Sequence, residues 1–303
     1  MKGRDIISIR DLKKEEIELV FSVADSMVDV ALGKKESNVL EHKILATLFF
    51  EPSTRTKMSF ESAMLRLGGR CIGFSDIGAT SVAKGENLHD TVRVIESYSD
   101  AMVIRHTKEG AVRYAAEISE KPVINAGDGS GEHPTQTLLD LYTMKKAMGS
   151  IEGKDVLLVG DLKYGRTVHS LARALSLFGA GIFLISPREL EMPEEVKKEI
   201  NIEAEGERIE DHIKEADVIY VTRIQKERFP DPAEYAKLSG RYRIDSKLLE
   251  MAKKECIVMH PLPRIEEIAY DVDSTKHAWY FREAFNGIPV RMALLSLIMG
   301  VVE

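Results

Sequence analysis

Two stretches of this sequence put cations where a helix must begin, and a third puts a run of glycines there. The first is Glu51-Pro52-Ser53-Thr54-Arg55-Thr56-Lys57, which joins an apolar run to a helical pattern. A helix N-terminus carries partial positive charge and free N–H groups, so its first turn favours acidic side chains. Here that turn holds Arg55 and Lys57 with the hydroxyls of Ser53, Thr54 and Thr56, and no carboxylate. Hydroxyls, backbone donors and a guanidinium fork at one helix start form a cradle for a phosphate. The competing reading is a Ser53 N-cap with both cations solvated.

The second opening is Lys163-Tyr164-Gly165-Arg166-Thr167. Gly160 to Thr167 is one residue away from a phosphate-binding P-loop, with Arg166 where that motif wants lysine. A phosphate-wrapping loop needs small residues, whereas this one carries Asp161, Leu162, Lys163 and Tyr164. Asp161 would repel a triphosphate, and arginine does not replace lysine as a compact charge. A carboxylate held by Arg166 fits better than a nucleotide, and the dinucleotide fingerprint lacks its middle glycine. The third opening is Gly127-Asp128-Gly129-Ser130-Gly131-Glu132-His133-Pro134-Thr135-Gln136. Its glycines permit close backbone approach to a ligand, and Pro134 suits a first helical position. His133 and Gln136 would share one face of the first turn, although a histidine at a helix start is often only a cap.

The elements that must position these groups alternate along the chain. Ile44–Phe50, Arg70–Ser75, Ala101–His106 and Pro122–Gly127 read as strands, and Thr56–Leu67, Glu86–Ser99 and Glu109–Glu120 as helices. After a long helix from His133 to Gly149 the pattern restarts. Strands are expected at Asp155–Asp161, Gly181–Pro187, Val218–Thr222 and Cys256–His260, with helices at Thr167–Phe178, Arg208–Ala216 and Ser246–Lys254. The apolar segment Val290–Val301 reads as a buried helix. Such a string predicts an α/β protein of two domains, each a parallel sheet flanked by helices. Ligands of open parallel sheets sit at the carboxyl ends of strands, which is where all three openings fall.

Composition narrows the function classes. A chain of 303 residues suits two domains. With 42 Lys and Arg against 49 Asp and Glu, the net charge of −7 disfavours a nucleic-acid binder. Cys71 and Cys256, far apart and without metal-ligand spacing, read as buried free thiols. The longest apolar run, Ala293–Val302, is interrupted by Ser296 and Gly300 and is about half the ~20 residues of a membrane crossing. The charged start (Lys2, Arg4, Asp5, Arg10, Asp11) is unlike a signal peptide, so a soluble, cytoplasmic protein without membrane partners is expected.

Taken together, Phe50–Thr56, Arg105-His106, His133–Gln136, Gly160–Thr167, Thr222–Arg228 and His260-Pro261-Leu262-Pro263-Arg264 resemble the transcarbamoylase family in order and separation, over essentially the whole chain. Within it they resemble the aspartate branch. The ornithine branch carries His-Cys-Leu-Pro, whereas this chain has His260-Pro261-Leu262-Pro263. Two guanidiniums, Arg166 and Arg223, also match a dicarboxylic amino acid and would repel an ammonium side chain.

The resemblance implies domain limits and roles. Residues 1–132 would bind carbamoyl phosphate, with a C-terminal helix 286–303 packing on them; 133–149 would bridge to an aspartate-binding domain, 150–285. Ser53, Thr54, Arg55, Thr56 and Arg105 would hold the phosphate. Thr56, Arg105 and His133 would face the carbonyl oxygen, and Gln136 with the Pro261 and Leu262 carbonyls would receive the carbamoyl NH2. Arg166, Arg223 and Gln225 would hold L-aspartate. Ser81 (or Thr80) and Lys84 would come from the neighbouring subunit of a homotrimer with shared active sites, and Glu51 would pair with Arg166 and Arg228. No metal or other cofactor is needed for the implied carbamoyl transfer. Separate regulatory chains, common in the family, would contact the charged segment Lys226–Tyr242.

Overall fold

The computed structural model describes residues 1–129, 131–224, 238 and 240–302. They fall into two units, Met1–Leu139 with Phe285–Glu303, and Asp140–Ala284.

The first unit runs α1 (Lys14–Ala31), β1 (Ile44–Phe49), α2 (Thr54–Arg66), β2 (Arg70–Phe74), α3 (Leu88–Ile95), β3 (Ala101–His106), α4 (Ala111–Ile118) and β4 (Val123–Asp128). The strands form one parallel sheet in the order β2-β1-β3-β4. β1, β3 and β4 are apolar and almost wholly buried because helices cover both faces. β2 is the outer strand beside β1 and is mostly exposed. Helix α1 was not predicted, yet its signal is local: Ile17, Val20, Phe21, Ala24, Met27, Val30 and Ala31 are buried at helical spacing. Glu16 Oε2 accepts the Lys13 N–H at 2.8 Å at its start.

Helix α5 (Pro134–Met148) follows, with residues up to Leu139 in the first unit. From Thr137 to Met144 it is buried all round, polar Thr137, Asp140 and Thr143 included. The second unit then runs β5 (Asp155–Val159), α6 (Arg166–Leu177), β6 (Gly181–Ile185), β7 (Ile202–Gly206), β8 (Val218–Val221) and β9 (Ile257–Met259). Its sheet is parallel, in the order β7-β6-β5-β8-β9.

Several elements differ from expectation. β7 was missed because its Ile-Glu-Ala-Glu-Gly sequence is an edge strand with solvated carboxylates. The helix expected at Arg208–Ala216 is a single 3-10 turn, Ile209–Asp211. Ile209 and Ile213 are indeed buried, but so short a segment gains little from helix propagation. Ser246–Lys254 is helical only over Ser246–Leu249. The last helix is Tyr280–Ile298, longer at its start than Val290–Val301 and continuous through Pro289. Its Phe285–Ile298 part belongs to the first unit, where Ile298 O accepts the Gly3 N–H at 2.8 Å and Arg291 lies 4.9 Å above the Phe60 ring. Cys256 is buried, whereas Cys71, on the outer strand, is only half-buried. Among the described residues no helix is long and apolar enough to cross a membrane.

Candidate active site

In both sheets the strand order reverses once. In the first, the chain leaves β1 outward to β2 and returns on the other side as β3. In the second, β5 is followed by β6 and β7 on one side and by β8 and β9 on the other. Crevices open at the carboxyl ends of strands at such reversals. The β1 end leads into Ser53–Thr56 and β3 ends on Arg105-His106; the β5 end leads into Gly160–Arg166 and β8 into Thr222-Arg223.

At the first reversal, Ser53 stands at the N-cap of α2 in extended conformation but makes no side-chain cap bond, so the simple capping alternative does not hold. The first turn of α2 contains no acid. Thr56 is buried beneath it. Arg55 remains exposed, yet partial desolvation, and next the Arg105 guanidinium, hold its pKa below the usual value. Two like charges kept within each other's field, at an acid-free helix start, are an anion site in wait. Arg105 is anchored from behind: Nη1 donates to Ala126 O at 3.2 Å and Nη2 to Glu51 Oε1 at 2.6 Å. Its Nε is buried without a hydrogen-bond partner among the described residues. Arg105 is thus a partner of Glu51 that the sequence did not suggest; of the two expected, Arg166 and Arg228, the latter lies outside the described residues. His106 packs on Phe50, ring centroids 5.0 Å apart, and burial, then Lys108, hold its pKa low.

The glycine-rich loop after β4 leads to His133 and α5. Asp128 organises it: Oδ1 accepts the Glu132 N–H at 2.8 Å and Oδ2 the Gly110 N–H at 3.0 Å. Gly129 has φ +54°, and a Cβ there would stand 2.7 Å from Thr107 O. That glycine therefore serves contact with the loop after β3, not with a ligand as its type suggested. His133 is buried, and its carbonyl accepts the Gln136 N–H at 3.0 Å to open the helix. Ser81 and Lys84 lie on an exposed 3-10 turn after β2, the strand outside β1 in the sheet. The Thr80 hydroxyl is spent on Ile77 O at 2.7 Å.

At the second reversal, Asp161 is fully buried and its Oδ1 accepts the N–H groups of Lys163, at 3.2 Å, and Tyr164, at 2.9 Å. The Leu162 N–H donates to Leu190 O at 3.1 Å. These are the donors a P-loop would turn toward phosphate, so the nucleotide alternative loses its chemistry. Gly160 brings the chain against β8: φ is +115°, and a Cβ would meet Thr222 O at 2.4 Å. The Thr222 hydroxyl accepts the Asp161 N–H at 3.1 Å. Arg166 is buried in the first turn of α6, which has no acid, and Arg223 is half-buried after β8. Gln225 lies outside the described residues.

After β9, Leu262 has φ +56° and is followed by a cis peptide to Pro263. The Leu262 N–H donates to His260 Nδ1 at 2.7 Å, so the ring proton sits on Nε2, 2.8 Å from Glu267 Oε1. Glu267 Oε2 accepts the Ile265 N–H at 3.2 Å and the Glu266 N–H at 3.0 Å. The sequence reading had not marked Glu267; the only cue was an acid a few residues beyond a histidine in a proline-rich turn.

Comparison with known proteins bears on these two sites separately. Residues 4–146 match the family model described as "Aspartate/ornithine carbamoyltransferase, carbamoyl-P binding domain", and residues 152–298 match its "Asp/Orn binding domain". The chain is 58% identical over 296 residues to the aspartate carbamoyltransferase catalytic subunit of Archaeoglobus fulgidus, covering 98% of this chain and 99% of that one. It is similar to the solved catalytic subunit of M. jannaschii aspartate transcarbamoylase, with TM-score 0.91, 51% identity and 98% of each chain covered. The aspartate transcarbamoylase of Trypanosoma cruzi, solved with carbamoyl phosphate and aspartate, matches with TM-score 0.93 and 38% identity over 98% of this chain and 97% of that one. With both halves matched and relatives alike from end to end, the chain belongs to the aspartate/ornithine carbamoyltransferase family.

Proposed function

We propose that the protein moves the carbamoyl group of carbamoyl phosphate to the amine of L-aspartate, giving N-carbamoyl-L-aspartate and phosphate for pyrimidine synthesis. The observation that carries this reading is the Arg55–Arg105 pair at the acid-free start of α2, at the strand reversal of the first sheet. The names of the relatives, and the substrates bound in the T. cruzi structure, agree with it.

Ser53, Thr54, Arg55, Thr56 and Arg105 bind the phosphate. Thr56, Arg105 and His133 face the carbonyl oxygen, while Gln136 and the carbonyls of Pro261 and Leu262 take the carbamoyl NH2. Arg166, Arg223 and Gln225 bind the aspartate carboxylates. The uncharged amine attacks the carbonyl carbon and negative charge gathers on the carbonyl oxygen, where one fixed donor is worth about 3 kcal/mol. The carbon–oxygen bond to phosphate then breaks with its electron pair leaving on phosphate, which also accepts the amine proton. Holding the two reactants in place lowers the remaining barrier.

Ser81 and Lys84 act in this reading from the adjacent subunit of a cytoplasmic homotrimer. Their place after the outer strand supports that, as does the engagement of Thr80, which leaves Ser81 as the hydroxyl donor. Met58 and Leu65 on α2 and Ile72 on β2 are exposed, as a covered subunit face would require. Regulatory chains, if bound, would meet the segment 226–242.

Purified protein given carbamoyl phosphate with aspartate or ornithine in parallel should form carbamoyl aspartate and no citrulline. Turnover of ornithine, or of neither amino acid, would defeat the reading.

A further inference from the structure

A buried acidic group in the second unit takes no part in the reaction as written. The Tyr220 hydroxyl, on β8, donates to Asp140 Oδ2 at 2.8 Å. Glu283, on the first turn of the last helix, is 1% exposed and lies against the Asp140 carboxyl. Its Oε2 accepts the main-chain N–H of His260 at 2.8 Å. His260 is the residue from which the Pro261–Leu262 turn departs, and its ring holds the Leu262 N–H. Leu262 itself occupies the left-handed region, where a branched residue stays only when its surroundings hold it.

We propose that Glu283 is a positioning residue: by holding the His260 main chain it fixes the turn whose Pro261 and Leu262 carbonyls receive the carbamoyl NH2, an inference that rests on the reading above. It works as a neutral acid. Two carboxyls in one buried pocket do not both carry charge. Burial first, and the Asp140 charge second, push Glu283 far above the ordinary carboxyl range. One oxygen of the acid accepts from His260 and the proton faces Asp140, a donor–acceptor pair that an amide of the same shape reproduces. The turn is thereby held from two sides, by Glu267 through the imidazole and by Glu283 through the main chain.

Two variants and one spectrum test this. Glu283→Gln should keep kcat and both KM values within about twofold of wild type, whereas Glu283→Leu, which leaves the His260 N–H buried and unpaired, should lower kcat at least about tenfold. In Glu283→Leu the KM for carbamoyl phosphate should rise while that for aspartate stays within about twofold, a split that general loosening would not produce. Infrared difference spectra of wild type against Glu283→Gln at neutral pH should show a protonated-carboxyl stretch lost in the variant. A folded Glu283→Leu with wild-type kinetics overturns the positioning role. A crippled Glu283→Gln, or no protonated-carboxyl band, overturns the neutral acid, and both readouts stand even if Glu283→Leu does not fold. A wild-type chain that makes no carbamoyl aspartate would fail the underlying reading instead, which the infrared band does not depend on.

Discussion

Arg55 lies in the field of Arg105, whose Nη2 is held by Glu51, and a bound anion would relieve the repulsion that remains; that sets the strongest expectation for a single residue. If Arg55 answers the charge that grows as phosphate departs, as proposed, Arg55→Ala should lower kcat by roughly 100-fold to 1,000-fold while changing the aspartate KM far less. Steady-state kinetics with each substrate varied would show it, and a near-normal kcat would remove Arg55 from the chemistry. Glu267 offers a second test, through pH. Burial alone would raise its carboxyl, but the hydrogen bonds from the His260 ring and from the main chain outweigh burial and hold it below the usual carboxylate range. A depressed folded pKa contributes stability that is present above the unfolded value, about 4.3, and is lost as pH falls through the lower folded value. Glu267→Gln should therefore cost about 1.5–3 kcal/mol near neutral pH, and the gap from wild type should close below about pH 4. Urea unfolding across that range reads it, and a gap that stays constant with pH would mean that the carboxylate charge contributes nothing.

The elements bring these residues together by close approach of backbones. At Gly160 the chain leaves β5 with φ +115° and runs against Thr222 O, where a Cβ would stand at 2.4 Å. Gly153, at φ +69°, has nothing within 4 Å of the same position. The two glycines separate steric clash from backbone strain. Gly153→Ala should cost only about 1–2 kcal/mol, the strain of the left-handed region. Gly160→Ala should cost roughly 3–5 kcal/mol, because strain and overpacking add, and it should also weaken aspartate binding by moving Arg223. Equal losses of stability in the two variants, measured by thermal unfolding, would show that the β5–β8 approach is soft.

At the scale of the whole molecule, Lys84 is exposed after the outer strand, whereas Arg55 follows the inner strand β1. If each site takes Arg55 from one chain and Lys84 from the next, Arg55→Ala and Lys84→Ala trimers should each be nearly inactive. Dissociated, mixed in equal amounts and reassembled, they should regain about a quarter of wild-type activity, because random pairing leaves roughly one site in four with both residues intact. A mixture that stays inactive after proven exchange of subunits would place Lys84 in its own chain's site. If the proposed trimer forms through the face bearing the exposed Met58, Leu65 and Ile72, charged substitutions there should lower the mass in solution without changing the fold.

What the sequence determined by itself was whatever depends on neighbours along the chain. Apolar runs separated by helical spacing specified parallel sheets, and a helix start with arginine in place of an acid marked Ser53–Thr56 without any three-dimensional information. The family motifs added the remaining site residues, again as local strings. Strand order is not local, and the rest depended on it. Arg105 bonds Glu51 and lowers the Arg55 pKa because β3 returns beside β1, past a β2 that separates them in sequence. Asp161 turned out to close its loop on itself, and the Asp140, Tyr220 and Glu283 group gathers residues from α5, β8 and the last helix. Such groups have no sequence period or spacing, because burial brings them together only once the sheet is assembled, and a buried acid then either finds a partner or keeps its proton.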